Sequence, residues 1–200
     1  MHKRQVLTGF AALTGAALAL SRHARAATAA AAQRGPALLT VTGAIGHTNR
    51  GPLDPALDQL MVKQKIAFQK AMAFDFGALN ALPSVQITPT LEYDARPHRL
   101  RGPLLVEVLK AAGVTTGAAG ATVLLRALDG YAVKPTLAEV TRLRVVLATH
   151  LDDEPMPLGG LGPLWAVIDA DRVPELAAKP LKDRFALCPW GTYHIDVSAA

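Results

Sequence analysis

The ten residues from Glu92 to Arg101 concentrate most of the reactive and recognition chemistry in the chain: Glu92, Tyr93, Asp94, Arg96, His98, Arg99 and Arg101. An aromatic ring offers a flat stacking face, and guanidinium groups donate in a fixed fork to anions and polar ring edges. Tyr93, Arg96, His98, Arg99 and Arg101 are therefore candidates to line a pocket for an anion or a heterocycle. The same composition also describes a solvated basic loop, and residue types alone leave both readings open. Trp165 and Trp190 are the only tryptophans. Either can serve as core or as a stacking platform.

Other chemistry is poorly supplied. The chain has no phosphate-binding G-x-x-x-x-G-K-[ST] loop, no G-x-G-x-x-G, no H-E-x-x-H, no C-x-x-C and no G-x-S-x-G elbow. Beyond the N-terminal segment the histidines are His47, His98, His150 and His194. None is spaced from another as ligands on one helix or strand would be. Asp152-Asp153-Glu154 groups carboxylates but reads as a solvated turn. Gly159-Gly160-Leu161-Gly162-Pro163 lacks the lysine of a phosphate cradle and reads as a tight turn or a ligand-contacting loop. Cys188 is the sole cysteine, so no internal disulfide can form. It is a buried thiol, a reactive thiol or a ligand.

The N-terminus has the three parts of a secretory signal: the positive His2-Lys3-Arg4, the uncharged apolar run Val6 to Leu20, and the small-x-small site Ala24-Arg25-Ala26. The apolar run falls short of the ~20 residues that span a bilayer. Residues 1–26 are thus expected to be a cleaved signal, with mature protein starting near Ala27 in the periplasm. Lys3-Arg4 loosely resembles a twin-arginine pair, and both the Sec and Tat routes stay open. Residues 27–36 read as an alanine-rich flexible leader, and residues 37–200 as one domain, long enough for a sizeable core. The whole chain has 21 basic and 16 acidic residues. Lys3, Arg4, Arg22 and Arg25 belong to the signal, leaving 17 against 16. The basicity that would suggest nucleic acid therefore belongs largely to the signal, and no nucleic-acid partner is expected.

These residues must be positioned by short elements. Leu38 to Val41 reads as a strand. Asp54-Pro55 starts a helix carrying Leu57, Leu60 and Met61, read as an insertion on the surface. Asp75 to Leu82 reads as one or two helical turns. Ser84 to Thr88 alternates as a strand does. Pro89 to Arg101 reads as loop. Gly102-Pro103 opens a helix whose apolar face is Leu105, Val108, Leu109 and Ala112, stopped by Gly113. Thr122 to Leu128 is a strand entering the turn Asp129-Gly130-Tyr131, and Leu137 to Leu143 a short helix. Val145 to Thr149, Leu164 to Ile168 and Tyr193 to Val197 are further strands. Many short strands with few helices predict an α+β fold with a mixed β-sheet. No internal repeat or second domain boundary is visible.

The order of several segments carries a resemblance. These are Thr40-Val41-Thr42-Gly43, Phe74-Asp75, Arg101-Gly102-Pro103-Leu104-Leu105, Ala127-Leu128-Asp129-Gly130-Tyr131-Ala132-Val133, Leu151 to Pro157, Gly162-Pro163-Leu164-Trp165 and Trp190. Together they resemble the sulfite-oxidase-type molybdopterin-binding domain, especially its small exported stand-alone versions. The resemblance implies a sulfite-oxidase-like fold over nearly the whole mature chain. Catalytic members of that family hold molybdenum through a cysteine after the strand matching Ser84–Thr88. Here that stretch reads Ile87-Thr88-Pro89-Thr90-Leu91-Glu92-Tyr93, without cysteine. Cys188 lies where the family has no metal ligand. A hydroxyl or carbonyl is a poor substitute for thiolate at a soft metal.

The resemblance therefore implies a pterin pocket without molybdenum catalysis. Some stand-alone relatives bind reduced pterins in the periplasm and pass that signal to the periplasmic domain of an inner-membrane sensor. The expected ligand is a reduced pterin, with no molybdenum. The expected ligand-binding residues are Tyr93, Arg96, His98, Arg101, Asp129, Tyr131 and Trp165. Tyr93 or Trp165 would stack, an arginine or His98 would hold a polar edge, and Asp129 would accept from amino-pyrimidine N–H groups. The alternatives are a molybdopterin-dependent oxidoreductase of sulfite-oxidase type and an interaction domain whose pocket has closed.

Overall fold

The computed structural model describes residues 35–115 and 120–199. The expected signal, residues 1–26, and residues 27–34 of the expected leader lie outside the described residues. In chain order the elements are β1 (Ala37–Gly43), α1 (Gln59–Lys63), β2 (Met72–Asp75), α2 (Phe76–Asn80), β3 (Ser84–Ile87), β4 (Leu100–Pro103), α3 (Leu105–Ala111), β5 (Thr122–Ala127), β6 (Ala132–Val133), α4 (Leu137–Arg142), β7 (Val146–Ala148), β8 (His150–Leu151), β9 (Glu154–Pro155), β10 (Trp165–Val167), α5 (Pro174–Ala177) and β11 (Thr192–Ser198). Single 3-10 turns at Ala170–Arg172 and Leu181–Asp183 flank α5.

Three sheets organise these elements. The largest runs β2-β1-β11-β5-β6 and is mixed, because β1 pairs in parallel with β11 while its other pairings are antiparallel. A second, antiparallel sheet runs β3-β4-β8-β9, and β7 pairs with β10 in a third. The fold is α+β with a mixed sheet, as composition and periodicity predict. The Leu105 N–H donates to the Val145 carbonyl at 2.8 Å, joining the start of α3 to the β7 region.

The expected apolar face of α3 is the one the fold buries: Leu105, Val108, Leu109 and Ala112 are all fully covered. Gly113 follows at φ +77, where a side chain would be strained and a Cβ would lie 2.7 Å from the His47 nitrogen. The start of α4 is secured by a capping box in which Thr136 and Glu139 satisfy each other's backbone N–H. Asp75 caps α2 through the Ala78 N–H at 2.7 Å.

Two expectations change. The helix after Pro55 is short: Asp54 accepts from Ala56 and Leu57, making a local turn, and the helix covers only Gln59–Lys63. Nor does this segment simply ride on the surface. Met61, Ile66, Phe68 and Ala71 are buried with Tyr193 in a second apolar cluster. Register shifts between Thr192 and His194, leaving Tyr193 as an extra residue in β11. Such a bulge re-aims side chains, and the Tyr193 hydroxyl donates to the Gln64 amide oxygen at 2.9 Å.

The second change is at Leu100–Pro103. These residues form strand β4, between β3 and β8, where the sequence suggests loop and helix start. Gly102 lets the strand pass closely, since a Cβ there would lie 2.1 Å from the Leu147 carbonyl oxygen. Among the described residues no helix is long and apolar enough to cross a membrane.

Candidate functional site

Three segments distant in sequence meet at a concavity of about 300 Å³. The loop after β3 supplies Glu92 and Tyr93, the β5–β6 turn supplies Asp129 and Tyr131, and the segment before β11 supplies Lys182, Phe185, Cys188 and Trp190. Pockets for small ligands start at about this volume. Three aromatic side chains on its walls keep accessible surface: Tyr93 is 57% exposed, Tyr131 49% and Trp190 40%. Exposed aromatic rings can act as stacking surfaces.

Hydrogen bonds hold this arrangement. The Asp129 carboxylate accepts from the Tyr131 N–H at 2.9 Å through Oδ1, shaping the turn. The Tyr131 hydroxyl donates to the Ala186 carbonyl at 2.7 Å, tying the turn to the opposite wall. Trp165 does not reach the surface. It is 1% exposed, its ring lies tilted against Phe185 at 5.9 Å, and its Nε1–H donates to the Cys188 carbonyl at 2.9 Å. A β-bridge joins it to Trp190. Trp165 thus supports the residues that line the site.

The electrostatics are set by packing. Desolvation pushes the Tyr93 phenol up, and the neighbouring Glu92 carboxylate adds to it while Trp190 opposes. Burial pushes the Cys188 thiol up to about 12. It is 3% exposed, so at neutral pH it is a protonated, covered thiol and not a nucleophile. Lys182 also lines this concavity.

Of the residues expected from sequence, Tyr93, Asp129 and Tyr131 come together here. Arg96, His98 and Arg101 do not line the concavity. His98 is held by two carboxylates, its Nδ1 2.7 Å from Asp152 and its Nε2 2.9 Å from Asp94. Those bonds raise its pKa, Asp152 contributing most. Asp152 also accepts from the Arg99 N–H at 2.9 Å, and Arg99 pairs with Asp153. The carboxylate turn, which the sequence presents as merely solvated, therefore staples the Tyr93 loop to the β8–β9 hairpin. Arg96 is exposed, with its N–H donating to Asp94 at 3.1 Å. Arg101 lies in β4 opposite His150, whose pKa is lowered by burial first and by Arg101 second.

Glu92, Lys182, Phe185 and Cys188 are lining residues that sequence reasoning does not select. Trp190 has a visible signal, as one of few aromatics and a possible platform. Lys182 and Phe185 sit among short turns that carry no periodic pattern. Among the described residues no group of three or more His, Cys, Asp or Glu side chains is arranged to hold a metal ion. No protein-family model and no curated protein matches the chain. Fold and site together define an α+β domain with a small aromatic-walled cleft.

Proposed function

We propose that this chain is an exported, non-catalytic binding protein for a reduced pterin, with a sulfite-oxidase-like fold, that relays the ligand signal to the periplasmic part of a membrane sensor. One observation carries the ligand reading: Tyr93, Asp129 and Tyr131, selected for this role from sequence, converge with Trp190 on one ligand-sized hollow. A bicyclic heterocycle has flat faces and a dense polar edge. Good binding needs both a stacking surface and partners for that edge, because each buried polar group left unpaired costs about 1–3 kcal/mol. Tyr93, Trp190 and Tyr131 supply rings. Asp129 keeps Oδ2 for the ligand, since its bond to the Tyr131 N–H uses Oδ1. Glu92 is a second acceptor on the wall and Lys182 a donor.

The position of Cys188 on that wall favours a rival reading, a molybdopterin-dependent oxidoreductase. The donor set argues against it: Thr88 to Tyr93 contains no thiol, and Cys188 is only 3% exposed, covered by its own packing. Titration calorimetry of the mature protein with tetrahydropterins is the test, and binding on the order of micromolar, ~8 kcal/mol, is expected. Absence of binding to any reduced pterin, or near-stoichiometric molybdenum in protein from a cofactor-making host, would replace this reading. Export is checked by N-terminal sequencing of the periplasmic fraction, where a start near Ala27 is expected.

A further inference from the structure

A larger concavity lies elsewhere, along the outer edge of β3, with a volume of about 440 Å³. It is lined by the strand itself, Val85 to Thr88, and by Leu104, Leu143, Val146 and Val173. Neighbouring strands dictate what the strand presents to it. In an antiparallel ladder a residue's N–H and C=O point the same way and successive residues alternate. The Arg99 and Arg101 carbonyls accept from Asp152 and Thr149, toward β8. Leu100 and Gly102 therefore face β3, where they pair with Ile87 and Val85. The main-chain N–H and C=O of Gln86, between those two, point out of the sheet.

An open edge is a template for another strand, and proteins usually blunt one with lysine, proline or a covering element. Strand β3 carries neither lysine nor proline within Ser84–Ile87. The rim has a definite sign. Arg142, Arg144 and Arg172 stand against one carboxylate, Asp169. Arg172 reaches Asp169 at 3.5 Å, and Arg142 pairs with Glu175 outside the hollow. Arg144 has no ion-pair partner among the described residues. It projects from a backbone turned to φ 50, just before β7.

We propose that this edge is a docking site for an extended acidic segment of a partner protein, which adds as a strand beside β3. Gln86 supplies the main-chain hydrogen bonds, half-buried Leu104 and Val173 take alternate apolar side chains, and Arg144, without an ion-pair partner among the described residues, takes an acidic one. Strand addition of this kind draws affinity from backbone bonds and selectivity from such side-chain pockets. The proposal does not depend on what occupies the Tyr93 concavity.

The experiment uses the mature chain and a fluorescein-labelled peptide of alternating Asp and Val, followed by anisotropy and amide hydrogen exchange. The Asp–Val peptide is expected to bind, to weaken with added salt, and to protect the Gln86 amide. A Lys–Val peptide of the same pattern is expected not to bind. Arg144→Glu, at an exposed position, is expected to weaken binding about tenfold by turning attraction into repulsion, and Gln86→Pro to abolish it. Because Gln86→Pro can unfold the edge, Arg144→Glu is the deciding variant. Equal binding of both peptides, unchanged binding by Arg144→Glu, or protection at the Tyr93–Trp190 walls instead would overturn the proposal. So would a β3-mediated homodimer in sedimentation that neither peptide displaces.

Discussion

The Tyr131 hydroxyl donates to the Ala186 carbonyl at 2.7 Å, and this bond joins two walls of the aromatic cleft that lie far apart in sequence. Removing it separates the geometry of the site from its surface. Tyr131→Phe keeps the ring and loses the tie, so affinity for the proposed pterin is expected to fall only about threefold to tenfold, the value of one neutral hydrogen bond. Asp129→Ala removes both the acceptor and the turn bond to the Tyr131 N–H. It is expected to weaken binding more than Tyr131→Phe, while Arg99→Ala, whose side chain pairs with Asp153, leaves affinity unchanged. Calorimetry on the three variants gives the order directly.

Two histidines should bend the stability–pH curve in opposite directions. His98 holds its proton more tightly folded than unfolded, mainly through Asp152 and then Asp94. Its contribution is full below 6.5 and fades as pH rises through its raised folded value. Asp94 and Asp152 are held below 3.8, chiefly by His98, so their share is present above 3.8 and is lost as pH falls through their lowered values. The cluster is therefore strongest between those limits. His194 is the reverse, because burial lowers it from 6.5 to about 4. As pH falls through that range, the unfolded chain takes up a proton that the folded chain refuses, and stability drops. In denaturant titrations, His98→Asn should flatten the loss toward alkaline pH, and His194→Gln the loss toward acid.

The Thr42 hydroxyl sits at the centre of the His194 network, with the Ile195 carbonyl a further acceptor at 3.4 Å. The Thr42 hydroxyl donates to Asp196 at 2.8 Å and so accepts from His194 Nε2, 3.1 Å away. Nδ1 is buried without a partner. Thr42→Val removes a donor from Asp196 and an acceptor from His194 at once. A cost of about 1–2 kcal/mol is expected by equilibrium unfolding, since buried His194 and half-buried Asp196 each lose a partner.

Gly102→Ala tests the packing of β4. The added Cβ would lie 2.1 Å from the Leu147 oxygen and 2.8 Å from the Ala148 Cα, both backbone. Neither can yield without parting β4 from β7. A loss of more than about 4 kcal/mol, seen as insoluble or unfolded protein by circular dichroism, is expected. Gly130→Ala, with open space around it but φ +93, should cost only about 1 kcal/mol.

Cys188 should behave as a packed side chain. In the native protein a thiol reagent is expected to react only as the chain unfolds, because the group is covered and its thiolate disfavoured. Cys188→Ser should cost roughly 1–2 kcal/mol by putting a hydroxyl where a thiol is covered. Fast labelling of folded protein would contradict the burial.

The amino-acid sequence alone determined the elements whose patterns are local. The α3 face recurs at helical spacing, Thr122 to Leu128 leads into an Asp-Gly turn, and both follow from side chains a few residues apart. The composition of its loop singled out Tyr93 as a recognition residue, while Asp129 and Tyr131 entered only through the resemblance carried by the segment from Ala127 to Val133. Only the tertiary structure decided where His98, Arg96 and Arg101 go, whether Trp165 faces the site or supports it, and what the segment after Pro55 packs against. Those outcomes rest on partners far along the chain: Asp152 for His98, Phe185 and Cys188 for Trp165, Tyr193 for Met61. Strand β4 was illegible for the same reason. Its residues carry no strand period, and their extended form is imposed by hydrogen bonds to β3 and β8 on either side.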